Sequence, residues 1–311
     1  MNNKLTFTGA NIFFLVFTVV FLAYQVILSF FMGAAVFDNM YLIITINELG
    51  ILAFVLIFCF IKKVNIKEAF RFNNPGLLPM VLITVISLPA IFVASMLNSL
   101  VIYLLQFIGD VPASTIPVPQ NAKELLLGLL IVAVLPGICE EMMHRGLLLR
   151  AYERRGSYKA VVIVAVYFGL FHFDITNLLG PIFLGLIIGY YVIRTNSIYA
   201  GIYAHFLNNA ISVAVQYLAR TQRVESLAIS EVELVSTIIF GIISLVVTVG
   251  LMYLFKMVTE KRAVSVAPIA RVGQDVKAVL SHWPIIVIIV LYFLMAVLYI
   301  VSILLAKIMG L

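Results

Sequence analysis

Charge is what this chain has least of. Asp, Glu, Lys and Arg make up 11% of its 311 residues, against roughly 25% in soluble domains. With 64% hydrophobic residues, that scarcity excludes an ordinary water-soluble globule. Cysteine is nearly absent: Cys59 and Cys139 are the only two, and both sit in apolar runs, which excludes a disulfide framework. Cys139 adjoins Glu140 but has no cationic neighbour in sequence to activate a thiolate, so it reads as a small buried thiol. The four histidines form no close pair along one segment, and the zinc-protease pattern His-Glu-x-x-His is missing. No repeat of clear period and no low-complexity tract occurs. The net charge of +6 is spread over short loops, which argues against a nucleic-acid partner.

Long apolar runs fill the space. About 20 such residues span a bilayer, and the runs fall near 10–32, 40–61, 78–108, 124–148, 158–174, 178–194, 197–219, 233–257 and 284–308. The expectation is an all-α polytopic bundle of about nine membrane helices. The first run exceeds a signal-peptide core and lacks a convincing cleavage site, so it is expected to remain as a helix. The third carries Pro89, where a tilt, kink or break is expected. With the N-terminus on the cytoplasmic side, sixteen of the twenty Lys and Arg fall on inner segments, around 4, 62–71, 145–159, 194 and 256–277. Lys123, Arg220, Arg223 and Lys307 fall outside. That bias obeys the positive-inside rule. Residues 62–76 are expected to form a short basic amphipathic helix on the inner surface, and 109–121 a Pro-rich outer connection. The chain divides into N-terminal helices (1–77), a core (78–220) and C-terminal helices with an inner linker (221–311). It reads as an integral, multi-pass membrane protein in contact with lipid, most simply in the plasma membrane of a prokaryote.

Ionisable side chains at membrane depth cost free energy and tend to mark chemistry or a polar path. Here they cluster as Glu140-Glu141 with Arg145, then His172, then His205 with Asn209. Glu140 precedes the turn at Gly156 by 16 residues and His172 follows it by 16, so at the helical rise both lie about 20 Å above that turn. His205 and Asn209, counted from the turn at Asn196, reach about 14 and 20 Å. Three helices can therefore present polar groups at one level. Glu141 and Arg145 are spaced i,i+4 with the acid first, the favourable order for an ion pair. Adjacent helical residues point about 100° apart, so one glutamate can face a cavity while the other pairs with Arg145. His144 is expected near the polar inner mouth, His282 beside Trp283 at the interface, and Asp174 and Asn177 at an outer helix turn. Asn208 reads as packing, and Glu48 as an intramembrane acid with a pairing or channel role open.

A carboxylate beside an imidazole can deprotonate a water and later protonate a leaving amine. An imidazole and a carboxamide can donate to the oxyanion of a tetrahedral intermediate. Zinc held by Glu140, His172 and His205, with an activated water, is the other reading. Spacing alone does not decide between them.

The run Glu140-Glu141-Met142-Met143-His144-Arg145 resembles the EExxxR motif of the CPBP intramembrane proteases, also called the Abi or type II CAAX endopeptidase family. Phe168 to His172 resembles its FxxxH motif, and His205 to Asn209 its HxxxN motif. The resemblance spans roughly 80–219. It implies a helical bundle with a membrane-embedded chamber opening toward the cytosol. It implies Glu140 as the base, His172 holding the same water, His205 and Asn209 as the oxyanion site, and Glu141 and Arg145 as support. Glutamate and metal-dependent mechanisms both remain open within it. The substrate class it implies is a hydrophobic or lipidated peptide, as in CAAX processing or in bacterial peptide maturation and immunity. Two other classes compete. A catalytically idle scaffold regulating a partner protein would lack a catalytic group, and none is missing. A proton-coupled transporter would show repeat symmetry or broken helices at matching places, and neither is present.

Overall fold

The computed structural model describes residues 5–33, 40–113, 115–219 and 226–310. Lys4, Arg220 and Arg223 of the orientation count lie outside them. The chain is almost wholly helical: α1 (Phe7–Met32), α2 (Met40–Ile61), the single turn α3 (Ile66–Ala69), α4 (Leu77–Leu105), α5 (Ala122–Arg155), α6 (Ser157–Phe171), α7 (Leu179–Thr195), α8 (Ile198–Leu218), α9 (Glu231–Val258), α10 (Val272–Leu280) and α11 (Trp283–Met309). Seven of these, α1, α2, α4, α5, α8, α9 and α11, are long and apolar enough to cross a membrane. The runs expected at 158–174 and 178–194 are helical but shorter, 15 and 17 residues in α6 and α7. The basic segment after α2 yields one helical turn instead of a surface helix. Helix α4 passes Pro89 without a break.

The apolar surface divides into two kinds. Ile83, Ile86, Ile188, Tyr191, Ala204 and Phe255 join α4, α7, α8 and α9 in one core, and Phe14, Val55, Leu147 and Val164 join α1, α2, α5 and α6 in another. Along α9, Val235, Ile239, Phe240, Ile243 and Val246 point outward and stay exposed. In water such a stripe would drive association; in a bilayer it is the lipid-facing side.

The two ends of the bundle differ chemically. At one end, Glu153 is fully buried and pairs with Arg71 and Arg150 (3.3 Å) while accepting from Ser157 Oγ (3.1 Å). Arg194 donates to Thr259 Oγ1 (3.0 Å) and to the Lys256 carbonyl, and Asn73 bonds the Asn196 carbonyl (2.7 Å). The linker after α9 docks here through Asp275, which pairs with Arg155 (2.5 Å) and Lys159. At the opposite end a two-residue ladder joins Val111–Pro112 to Ser226–Leu227. Gln106 bonds the chain at Ile229, and Lys307 reaches the Phe107 carbonyl.

Burial works to raise the Asp275 acid, but hydrogen bonds and charge from Lys159 and Arg155 outweigh it and hold the carboxyl below its usual range. Docking of the linker is therefore at full strength above the ordinary carboxylate pKa and weakens as pH falls through the depressed value. Asp275→Asn removes the ionised partner at every pH. The expected outcome is faster tryptic cleavage at Arg271 in the variant at neutral pH, with the helical bundle intact by circular dichroism.

Candidate active site

Pro136 sets the local geometry of α5. It has no N–H, so the Val132 carbonyl loses its i+4 donor. The helix responds with a π-helical segment at Leu129–Val134, and a second follows at Met142–Leu148. Such segments are rare and often mark functional sites. Between them lies Leu135–Glu141, the turn that carries both glutamates. The freed Val132 carbonyl accepts from Asn209 Nδ2 at 3.0 Å. The proline on one helix thus fixes a carboxamide on another.

A chamber of about 750 Å³ runs from this point toward the end holding the β-ladder. Glu140, His172, His205 and Asn209 all line it, together with Glu48 from α2 and Asn208 from α8. Glu141 and Arg145 do not. Both are buried behind the wall, at 0% and 1% exposure. Glu141 Oε1 accepts from Arg145 Nη1 (2.6 Å) and faces His205 Nδ1 (2.9 Å). Arg145 also donates to the Gly185 carbonyl (3.2 Å) and stacks on the Phe168 ring (4.6 Å to its centroid).

The imidazoles share one arrangement. With the Glu141 carboxylate as acceptor, His205 Nδ1 carries the hydrogen, leaving Nε2 as the nitrogen available to the chamber. His172 closes α6, where its backbone N–H turns to Gly169, and its own Nδ1 donates to the Phe168 carbonyl at 2.7 Å. Its Nε2 is likewise left for the chamber. His144 was expected at the polar inner mouth. It is instead fully buried, ringed by Phe14, Phe168 and Phe171, with Nδ1 on the Glu140 carbonyl at 2.9 Å. The reason is local: i,i+4 spacing turns the ring back along α5, and the aromatic residues of α1 and α6 close over it.

Glu48, Asn208 and Asn177 line the chamber but were not assigned to the site from sequence. Glu48 of α2 lines the same chamber as Glu140 of α5. Its signal was an acid at membrane depth, but sequence alone did not bring it to the chamber that holds Glu140. Asn208 Nδ2 donates to Asn209 Oδ1 (3.1 Å) and so helps hold the neighbouring amide. Asn177 lines the chamber and bonds Asn98 Nδ2 at 3.0 Å.

Glu140, His172 and His205 are of the donor types zinc uses. Among the described residues no group of three or more His, Cys, Asp or Glu side chains is arranged to hold a metal ion. The three as they stand do not fit one, and no step below passes through a metal.

Gly201 on α8 faces the buried carboxylate. A Cβ there would lie 2.9 Å from Glu141 Oε2 and 2.9 Å from Val192, closer than such contacts allow. Gly201→Ala should push Glu141 off His205 and lower kcat with little change in KM, a split that steady-state kinetics on any cleaved peptide would read. An unchanged kcat would show that the Glu141–His205 contact does not matter to turnover.

Residues 122–211 match a family model described as Type II CAAX prenyl endopeptidase Rce1-like. The match covers α5 to the middle of α8 and contains every residue of the three motifs. No curated protein and no solved structure matches the chain.

Proposed function

Because residues 122–211 carry a type II CAAX prenyl endopeptidase-like domain, of an intramembrane protease family, we propose that this integral membrane protein hydrolyses a peptide bond of a hydrophobic, membrane-held substrate by a metal-independent glutamate mechanism. The observation that carries the reading is the meeting of Glu140, His172, His205 and Asn209 on one chamber inside an apolar bundle. Water held between Glu140 and His172 Nε2 gives up a proton to Glu140 as its oxygen attacks the scissile carbonyl carbon. The oxyanion is held by the second N–H of Asn209 and by the ring of His205, which Glu141 orients through Nδ1. Glu140 then passes its proton to the leaving nitrogen, and the C–N bond breaks to give an acid and an amine. Asn208 positions Asn209, whose Oδ1 accepts its Nδ2–H.

The test compares membrane peptides of cells expressing wild type or Glu140→Gln at matched levels, reading new N- and C-termini by mass spectrometry. Termini made by wild type alone, and lost again with His172→Ala, support the proposal. Identical profiles overturn it in favour of the scaffold reading. Dialysis of purified protein against a strong zinc chelator is expected to leave cleavage unchanged; loss restored by added zinc would overturn the metal-independent route.

A further inference from the structure

Asn98 of α4 decides which way the amide of Asn177 faces. The Gly180 N–H donates to Asn98 Oδ1 at 2.8 Å, and a backbone N–H can only donate. The other arm of that carboxamide is therefore Nδ2, which donates to Asn177 Oδ1 at 3.0 Å. With its oxygen taken, Asn177 turns its own Nδ2 the other way. Both residues line the chamber, and among the described residues no protein group accepts from Asn177 Nδ2. Gly180 permits the close approach, since a Cβ there would sit 2.8 Å from Asn98 Nδ2.

The loop that carries Asn177 is braced at several points. It leaves α6 at His172, turns at Phe173 (φ 48°) and folds around Asp174, whose Oδ1 accepts from Thr176 N–H (2.8 Å) and Thr176 Oγ1 (2.7 Å). The Asp174 carbonyl accepts from Asn177 N–H (3.2 Å) and from the Tyr292 hydroxyl of α11 (3.4 Å). His172, assigned above to hold the attacking water, and Asn177 are thus the two ends of one fixed loop. Peptide hydrolysis gives the spare amide a use. A helical substrate keeps its carbonyls paired internally, whereas a stretch laid out for cleavage exposes them, and inside an apolar bundle each one left without a donor costs free energy.

We propose that Asn177 binds a backbone carbonyl of the extended substrate chain through Nδ2, and that Asn98 is a positioning residue that holds this amide in the donating sense. The proposal rests on the protease reading above and deepens it. The ligand it names is peptide backbone, whatever side chains that stretch carries.

The experiment uses the full-length purified protein and a peptide whose cleavage depends on Glu140 in the terminus profiles. Asn177→Asp still accepts from Asn98 but shows a second oxygen to the substrate. Asn98→Asp accepts from both Gly180 and Asn177 Nδ2, so the loop keeps its bonds while the Asn177 amide turns over. Each variant is expected to raise KM about 3–10-fold, the size of one lost hydrogen bond, with kcat nearly unchanged. A second readout comes from substrates in which one backbone amide outside the scissile bond is replaced by an ester, a weaker acceptor. An ester at one position should raise KM for wild type and add nothing in either variant.

Wild-type KM in both Asp variants, with impairment only in Asn98→Leu, which loses both bonds, would mean that the pair merely braces the loop, and the proposal falls. It falls equally if every ester effect is as large in the variants as in wild type. Should the Asp variants fail to fold, Asn177→Leu takes their place in the ester series with the same two readings. Glu140-dependent cleavage without ester coupling overturns this assignment alone. Absence of any Glu140-dependent cut overturns the protease reading and this assignment with it.

Discussion

Glu140→Gln is expected to abolish peptide-bond cleavage while leaving the protein folded and in the membrane. The amide has nearly the shape of the acid, so the wall of the chamber is preserved. What disappears is the ability to accept a proton from water and return it to the leaving nitrogen. General acid–base groups contribute about 10²–10⁴-fold to rate, and Glu140 is assigned both transfers, so the loss should sit at the upper end. The measurement is single-turnover cleavage by purified variant and wild type of a peptide found in the terminus profiles, with thermal unfolding run in parallel. Residual activity within tenfold of wild type, about 1.4 kcal/mol of barrier, would remove Glu140 from the proton path. Glu48→Gln makes the companion case. It keeps the size and polarity of the side chain lining the chamber and should keep turnover far better than Glu48→Ala, which leaves a gap in the wall beside Glu140.

Arg145→Ala is expected to destabilise the protein more than any chamber substitution. Glu141 is completely buried and accepts from Arg145 and His205. Taking away the guanidinium leaves a carboxylate in a low-dielectric interior with one partner, at a cost of about 3–5 kcal/mol, a large share of the roughly 5–15 kcal/mol by which folded proteins are stable. Arg145→Lys should recover little. A lysine cannot span Glu141 and the Gly185 carbonyl with a planar fork, and it loses the stack on Phe168. The double variant Glu141→Gln with Arg145→Met should regain most of the thermal stability, since no charge is then left unpaired. It should remain poorly active, because a neutral amide replaces the carboxylate that orients the His205 ring. Thermal unfolding in detergent and cleavage assays on the same preparations separate the two effects. An Arg145→Ala protein as stable as wild type would show that Glu141 loses its charge at little cost.

Much of this was legible in the linear chain because membrane depth penalises charge so heavily. The acids and imidazoles stood out against apolar runs, and helical rise brought Glu140, His172, His205 and Asn209 to comparable levels before any fold was known. Division of labour between the glutamates followed from their angular offset, with Glu141 turned to Arg145 and Glu140 to the chamber. What was hidden depended on contacts between helices or on irregular backbone. Pro136 was visible, but a carbonyl released by it finds Asn209 only in three dimensions. Glu48 was visible as an acid, but it lies on α2, outside the matched segment, and meets Glu140 only across the chamber. Helix α6 stops at Phe171, short of the expected 174, because Phe173 takes a left-handed conformation, φ 48°, which the residue types do not announce.

The shortness of α6 and α7 also has a bearing on the surrounding lipid. At 15 and 17 residues they span about 22 and 26 Å, less than the roughly 30 Å hydrocarbon thickness of a typical bilayer. Tyr158, Val162 and Val166 keep α6 exposed along its length, so acyl chains packed there must shorten to meet it. Such mismatch is relieved by pinching the membrane, and the loop joining the two helices lies beside the chamber, at Asn177. Headgroups and water are thereby drawn down next to the polar lining of the chamber without any opening motion of the protein. The enzyme should work faster in short-chain than in long-chain phosphatidylcholine, with bilayer thickness acting as a control on hydrolysis.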